Sequence, residues 1–180
     1  VDAGDVMTIG FGSVKTKDIG LGSRASLSSN AMTTTALTTG DVLINGVQVG
    51  ASLATDDDLS YTSKDGSAIA KAAAINRVSD LTGVRATVEK TTAYGTSMAG
   101  AALTGTITIN GVATTSFSTV SDLETSRVSV VDAINKISDQ TGVKAINSHD
   151  DSQGVVLVAE DGRNITVSFS TLTAASTGVG

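Results

Sequence analysis

The chain has 180 residues, enough for one ordinary domain or two small ones. Its 40% apolar content supports a core, but with 3% aromatic residues and no Trp that core must be built from Val, Ile, Leu and Ala. The absence of Cys excludes disulfides and zinc–thiolate sites, and the absence of Pro removes the slow cis/trans step from folding. A net charge of −6, no basic run and no apolar stretch near the ~20 residues of a membrane span argue against nucleic acid or a membrane as partner.

Taken in chain order, residues 1–37 hold two expected strands, Val6 to Phe11 and Ser13 to Lys17. Gly20-Leu21-Gly22-Ser23 and Ser28-Ser29-Asn30 read as turns. These residues are expected to complete the sheet of a first module, 38–103, that follows. In that module Val42 to Ile44 and Val47 to Val49 flank Asn45-Gly46, the dipeptide that supplies the positive φ angles of a type I′ hairpin turn. Ala54 to Asp65, with Asp56-Asp57-Asp58, reads as an enlarged loop with a charged tip. A helix is expected over Ser67 to Thr82, ended by Gly83, with a face of Ile69, Ala72, Ile75 or Ala73, and Val78; a strand over Val84 to Lys90 follows. Gly- and Ala-rich Tyr94 to Leu103 reads as the linker.

The second module, 104–180, repeats the plan. Thr106 to Ile109 and Val112 to Phe117 flank Asn110-Gly111. Ser129 with Asp132 forms an expected N-terminal cap; Val130, Ala133, Ile134 and Ile137 make one helical stripe; Gly142 fits the left-handed helix stop, with Lys136 in the half where a cation is favoured. Three strands are expected over Val143 to Asn147, Val155 to Ala159 and Ile165 to Phe169, joined by turns at 150–154 and 160–164. The predicted fold class is α+β: two related β-hairpin/helix/strand modules, antiparallel sheets each packed by a short helix.

The two modules share ordered residues. Ile44-Asn45-Gly46-Val47 leads to Ala74-Ile75-Asn76-Arg77-Val78-Ser79-Asp80-Leu81-Thr82-Gly83-Val84-Arg85-Ala86. Ile109-Asn110-Gly111-Val112 leads to Ala133-Ile134-Asn135-Lys136-Ile137-Ser138-Asp139-Gln140-Thr141-Gly142-Val143-Lys144-Ala145, and six extra residues stand between turn and helix in the first copy. The motif residues Ile44, Asn45, Gly46, Ile75, Asn76, Gly83, Ile109, Asn110, Gly111, Ile134, Asn135 and Gly142 are all architectural types. The repeat specifies a scaffold, and surface-specific properties are expected in loops such as Ala54 to Asp65.

No catalytic, cofactor-binding or metal residue is expected. His149 beside Asp150 and Asp151 lacks three converging metal ligands and reads as a solvated turn. Asp56-Asp57-Asp58 lacks the alternating oxygens and terminal Glu of a calcium loop. Gly10-Phe11-Gly12 and Gly20-Leu21-Gly22 are followed by no Gly-Lys-Ser/Thr, and a single His offers the many hydroxyls no triad. Asn164-Ile165-Thr166 matches an N-glycosylation sequon at a turn–strand junction, where the match reads as accidental.

The ordered set, Ile-Asn-Gly-Val and then Ala-Ile-Asn-x-hydrophobic-Ser-Asp-x-Thr-Gly-Val, with Asp161-Gly162-Arg163-Asn164-Ile165 after the second copy, resembles the "IN" motif of the variable outer region of bacterial flagellins and of related hook and cap proteins. It covers most of residues 38–170. The resemblance implies an extracellular, surface-exposed outer domain of a flagellar filament subunit, exported unfolded, with neighbouring flagellin subunits as partners and O-glycosylation on some Ser or Thr; for Ser28-Ser29 and Thr33-Thr34-Thr35, loop polarity and β-propensity are the favoured account. The long heptad-patterned terminal helices of flagellins have no counterpart here, so the isolated chain is expected to be a monomer, and the family's receptor-recognition functions attach to no residue. The start at Val1-Asp2-Ala3-Gly4 and the end at Thr177-Gly178-Val179-Gly180 read as those of an excised segment. Two alternatives stand beside this reading, a cap or hook-associated protein and an adhesin-type module; the second calls for a concave aromatic-lined patch, and the chain's two Tyr and three Phe are scattered.

Overall fold

A computed structural model describes residues 26–28 and 33–180. The expected strands at Val6 to Phe11 and Ser13 to Lys17, and the turns at 20–23 and 29–30, lie outside the described residues.

The fold is α+β, with five helices and small antiparallel sheets among the described residues. In the first copy β1 (Leu43–Ile44) and β2 (Val47–Gln48) form a two-stranded hairpin, and α1 (Ala68–Asn76) and α2 (Ser79–Thr82) follow. β3 (Thr91–Ala93) leaves this copy. The second copy holds β4 (Thr104–Gly105), β5 (Ile107–Ile109), β6 (Val112–Ala113), β7 (Phe117–Ser118), α3 (Leu123–Asn135), α4 (Ser138–Thr141), β8 (Lys144–Asn147), β9 (Val155–Ala159), β10 (Val167–Phe169) and α5 (Ala174–Thr177). Its sheets run β10-β5-β6 and β3-β9-β8, with β4 paired to β7. Both Asn-Gly turns take the expected form, with φ 51° and 82° at Asn45-Gly46 and 47° and 82° at Asn110-Gly111.

The core lies in the second copy. Ile107 and Ile109 on β5, Val130, Ala133, Ile134 and Ile137 from the helical stripe, and Val155, Leu157 and Ala159 on β9 are buried, and Leu172 and Val179 close the same cluster from the C-terminal end. The aliphatic composition has this consequence: branched side chains alternate inward from both sheets onto one helix face.

Several elements differ from the sequence expectation. Asp122, not Ser129, caps α3: its carboxylate accepts from the Thr125 amide at 2.8 Å, while Ser129 sits in mid-helix and donates to the Thr125 carbonyl at 2.9 Å. Neither helix runs unbroken to its Gly. Each stops at the motif asparagine, passes through a residue near φ −110° (Val78, Ile137) and resumes for a single turn that Gly83 or Gly142 ends at φ 69° or 71°. Val112 to Phe117 divides into β6 and β7, which pair with different strands. Val84 to Lys90 forms no ladder; pairing begins only at Thr91.

The face of α1 also differs. Ala70, Lys71, Ala72 and Ala74 are its buried positions, while Ile69, Ile75 and Val78 are half-buried. The first copy lacks the long strands that cover the equivalent stripe in the second, so its larger side chains stay nearer the surface. Lys71 is buried yet satisfied, its ammonium donating to the Thr33 carbonyl at 2.5 Å, and burial lowers its pKa. Thr33 to Leu37 thus packs on the first copy, where the Leu37 amide also donates to the Ser52 hydroxyl.

Tyr94 to Leu103 is no free linker. β3 pairs antiparallel with β9, Thr91 opposite Ala159 and Ala93 opposite Leu157. Beyond it Thr96 donates to Gly178, Met98 to Asp151 and Ala99 to Ala175, and Leu103 accepts from Thr119. No boundary falls at 103, since Met32–Gly180 is one compact unit. Gly95 and Gly100 permit the close backbone approach, since a Cβ there would strike the carbonyls of Gln153 and Ser121, and composition alone does not reveal those partners.

Candidate functional site: two asparagine clamps

The repeated residues build the same hydrogen-bonded device twice. The turn asparagine reaches the end of the one-turn helix: Asn45 Nδ2 donates to the Thr82 carbonyl at 2.8 Å, and Asn110 Nδ2 to the Thr141 carbonyl at 3.1 Å. The helix asparagine spans both peptide groups of one residue beyond the stop. Asn76 Oδ1 accepts from the Ala86 amide at 2.8 Å and its Nδ2 donates to the Ala86 carbonyl at 3.0 Å; Asn135 does the same to Ala145 at 2.8 and 3.0 Å. The hydroxyls of Thr82 and Thr141 each accept from the second following amide at 3.2 Å.

Each residue type follows from this geometry. A carboxamide offers a donor and an acceptor spaced to pair with the N–H and C=O of one extended residue. The helix must break after it, because the side chain leaves the helix surface to meet the next extended segment. In the second copy the clamp has a further effect: β8 is paired to β9 on one side, and Asn135 occupies the N–H and C=O that Ala145 turns to the other, blocking an open strand edge.

The copies differ in what surrounds the clamps. Asn110 is buried, and its Oδ1 also accepts from the Thr166 amide at 2.9 Å and hydroxyl at 3.2 Å. The Arg163 guanidinium lies against Gly142 and donates to the Thr141 carbonyl at 3.0 Å. Asp161 holds Arg163 in place at 2.6 Å; that hydrogen bond keeps the Asp161 carboxyl below the usual range and raises Arg163. Ile109, Ile134 and Val143 are fully buried, whereas Ile44 and Ile75 are half-buried and Val84 is 38% exposed.

The loop enlarged in the first copy joins the copies. Asp57 is wholly buried, contrary to the expectation of a charged tip: its Oδ1 accepts from the Leu59 and Ser60 amides at 2.8 and 2.9 Å, and Oδ2 has no partner among the described residues. Burial pushes its carboxyl up, but the nearby Ser60 and Ser67 hydroxyls with the Ser60 and Leu59 amides together outweigh burial and hold it down. So ordered, the loop accepts the Asn164 amide on Ser60 Oγ at 2.9 Å, takes the Asn164 side-chain amide on the carbonyls of Thr62 and Ser63 at 3.1 Å, and lays Tyr61 over Gly111. The sequon amide is thereby engaged within the chain. The six extra residues serve as a strut, a role that their polarity did not indicate.

The sequence reading also missed Arg127. It is 4% exposed in α3 and pairs with Glu124 at 2.5 Å, with Asp151, and with Asn147 Oδ1 at 3.1 Å. Burial pulls Arg127 down, and the two carboxylates more than offset it; Glu124 is lowered chiefly by its bond to Arg127. Asp151, placed in a solvated turn with His149 and Asp150, is thus part of an ion-pair network, while His149 is exposed, 3.6 Å from Glu124. Glu124 three residues before Arg127 on one helix face was the available signal.

Among the described residues no group of His, Asp or Glu is arranged to hold a metal, and no helix is long and apolar enough to cross a membrane. The two best-formed depressions, about 180 and 190 Å³, are open and carry no aromatic lining, and fall below the ~300 Å³ at which small-molecule sites begin. No known family model matches the chain, and no curated protein matches it.

Proposed function

We propose that this chain is a structural, non-enzymatic outer domain of a bacterial flagellar filament subunit, extracellular and solvent-facing, with neighbouring subunits as its partners in the filament. The observation that supports this reading is the double occurrence of the clamp. The same asparagines meet the same backbone groups in both copies to within 0.3 Å, tying a hairpin turn to a helix end and a helix to the extended segment beyond its stop. Selection for such a repeat is selection for a rigid body. The motif's resemblance to the flagellin "IN" repeat then supplies the setting, and a Cys- and Pro-free chain suits delivery in the unfolded state.

Immunogold electron microscopy with antibody raised against the folded chain tests this on cells of the source organism. Label along the whole filament shaft is expected. Label confined to the filament tip or to the hook junction identifies a cap or hook-associated protein, and label absent from flagella overturns the reading. Light scattering on the isolated chain is expected to give a monomer.

A further inference from the structure

The two Asn-Gly turns carry the same latent chemistry under unequal protection. In such a dipeptide the Gly amide nitrogen can attack the Asn Cγ, forming a C–N bond in a five-membered succinimide as the Cγ–Nδ2 bond breaks and the side-chain nitrogen leaves as ammonia. Water then opens the ring at either carbonyl, giving Asp or isoAsp. One water is consumed and one ammonia released, with no oxidant, metal or enzyme. The step needs a Gly without a Cβ to hinder approach, a free Asn carboxamide and a backbone able to rotate out of the left-handed turn conformation.

In the second copy each requirement is opposed. Asn110 is 8% exposed, its Oδ1 accepts two hydrogen bonds from Thr166, its amide donates to the Thr166 carbonyl at 3.0 Å, and the Tyr61 ring lies beside Gly111, which is itself exposed. The β5–β6 hairpin is as short as the first, but β5 is also paired along its other side with β10, up to Ile109 opposite Val167, so moving Asn110 disturbs a second ladder that the first hairpin lacks. In the first copy Asn45 is exposed, and its side chain makes a single hydrogen bond among the described residues, to Thr82. Among the described residues nothing approaches within 4 Å of the place a Cβ would occupy on Gly46, and the hairpin consists of two residues on each side, with Leu43 61% exposed. Local opening is cheapest where buried contacts are fewest.

We infer that Asn45 is a site of spontaneous deamidation and Asn110 is not, so the first hairpin carries an age-dependent modification that the second is built to resist. The product at Asn45 is a carboxylate, which has no proton to donate to the Thr82 carbonyl, so the modification releases the first hairpin from the helix end and adds a negative charge.

The test incubates the full chain in mildly alkaline heavy-oxygen water and follows each site by tryptic peptide mapping; Lys64 and Lys90 place Asn45 and Asn110 in different peptides. In the folded protein Asn45 is expected to convert at least about tenfold faster than Asn110, while in urea the two convert at equal rates. Equal folded rates, or a faster Asn110, overturn the inference. Tyr61→Ala is expected to accelerate conversion at Asn110 without changing Asn45; an unchanged Asn110 in that variant overturns the account of its protection.

Discussion

Replacing Asn135 by Ala, and separately Asn76 by Ala, applies one chemical change to two copies of one device. Each removes a carboxamide that bonds both peptide groups of a single residue. At Ala145, 5% exposed, the N–H and C=O left behind have little access to water, and unsatisfied buried groups cost about 1–3 kcal/mol each, so Asn135→Ala should destabilise by about 3 kcal/mol. Ala86 is half-buried and water can replace the lost partner, which limits Asn76→Ala to about 1 kcal/mol. The gain in helix propensity from Asn to Ala is common to both variants and cancels in the difference. Urea unfolding with the slope held constant measures each loss, and hydrogen exchange at the Ala145 amide should quicken in the Asn135 variant. Equal losses at the two positions would refute the view that burial, rather than the bond pattern, sets the strength of the clamp.

Other substitutions probe the rest of the fold. Gly83→Ala should cost about 1 kcal/mol, the strain of a side chain at φ 69° where no described residue would meet its methyl group, whereas Gly142→Ala should cost about 2–3 kcal/mol because its methyl group also displaces the Arg163 guanidinium from the Thr141 carbonyl; thermal denaturation gives both values. Asp57→Ala should lower stability by about 2 kcal/mol through loss of the two amide bonds that order the loop, and the Asn164 amide, which the loop receives, should exchange faster with solvent. Acid should weaken the fold in a defined window. Glu124 and Asp161 have folded pKa values below their ordinary 4.5 and 3.8, so their contribution is fully present above those values and is lost as pH falls through the lower folded values. Arg127→Leu, which removes the partner of Glu124, should make the acid-induced loss of stability shallower in a denaturation series over that range, and an unchanged series would remove Arg127 as its cause.

Much of the second copy was legible in the sequence because its signals are local. Asn110-Gly111 admits the left-handed φ pair of a hairpin turn, Gly142 admits the left-handed helix stop, and the spacing of Val130, Ala133, Ile134 and Ile137 places four apolar side chains on one helix face. The cap at Asp122 was missed because two segments of this polar stretch offer acceptor side chains, and only helix length chose between them. The clamps were visible as asparagines repeated within the chain itself, but the groups they bond on Thr82, Thr141, Ala86 and Ala145 are backbone groups that any residue could present.

The sequence by itself determined that this protein is made of two related hairpin–helix units with an aliphatic core and no thiol chemistry, since dipeptide conformational preference, side-chain periodicity and composition are properties of the chain before it folds. Tertiary structure alone decided that the units are unequal. The second copy receives β3 from the segment between the copies and closure from the C-terminal residues around Val179, and the loop around Asp57 anchors one unit to the other through Asn164. These are contacts between residues distant in sequence, 104 positions apart for Ser60 and Asn164, and no local preference encodes them; they form because burying Val155, Leu157 and Ala159 requires strands on both sides of β9.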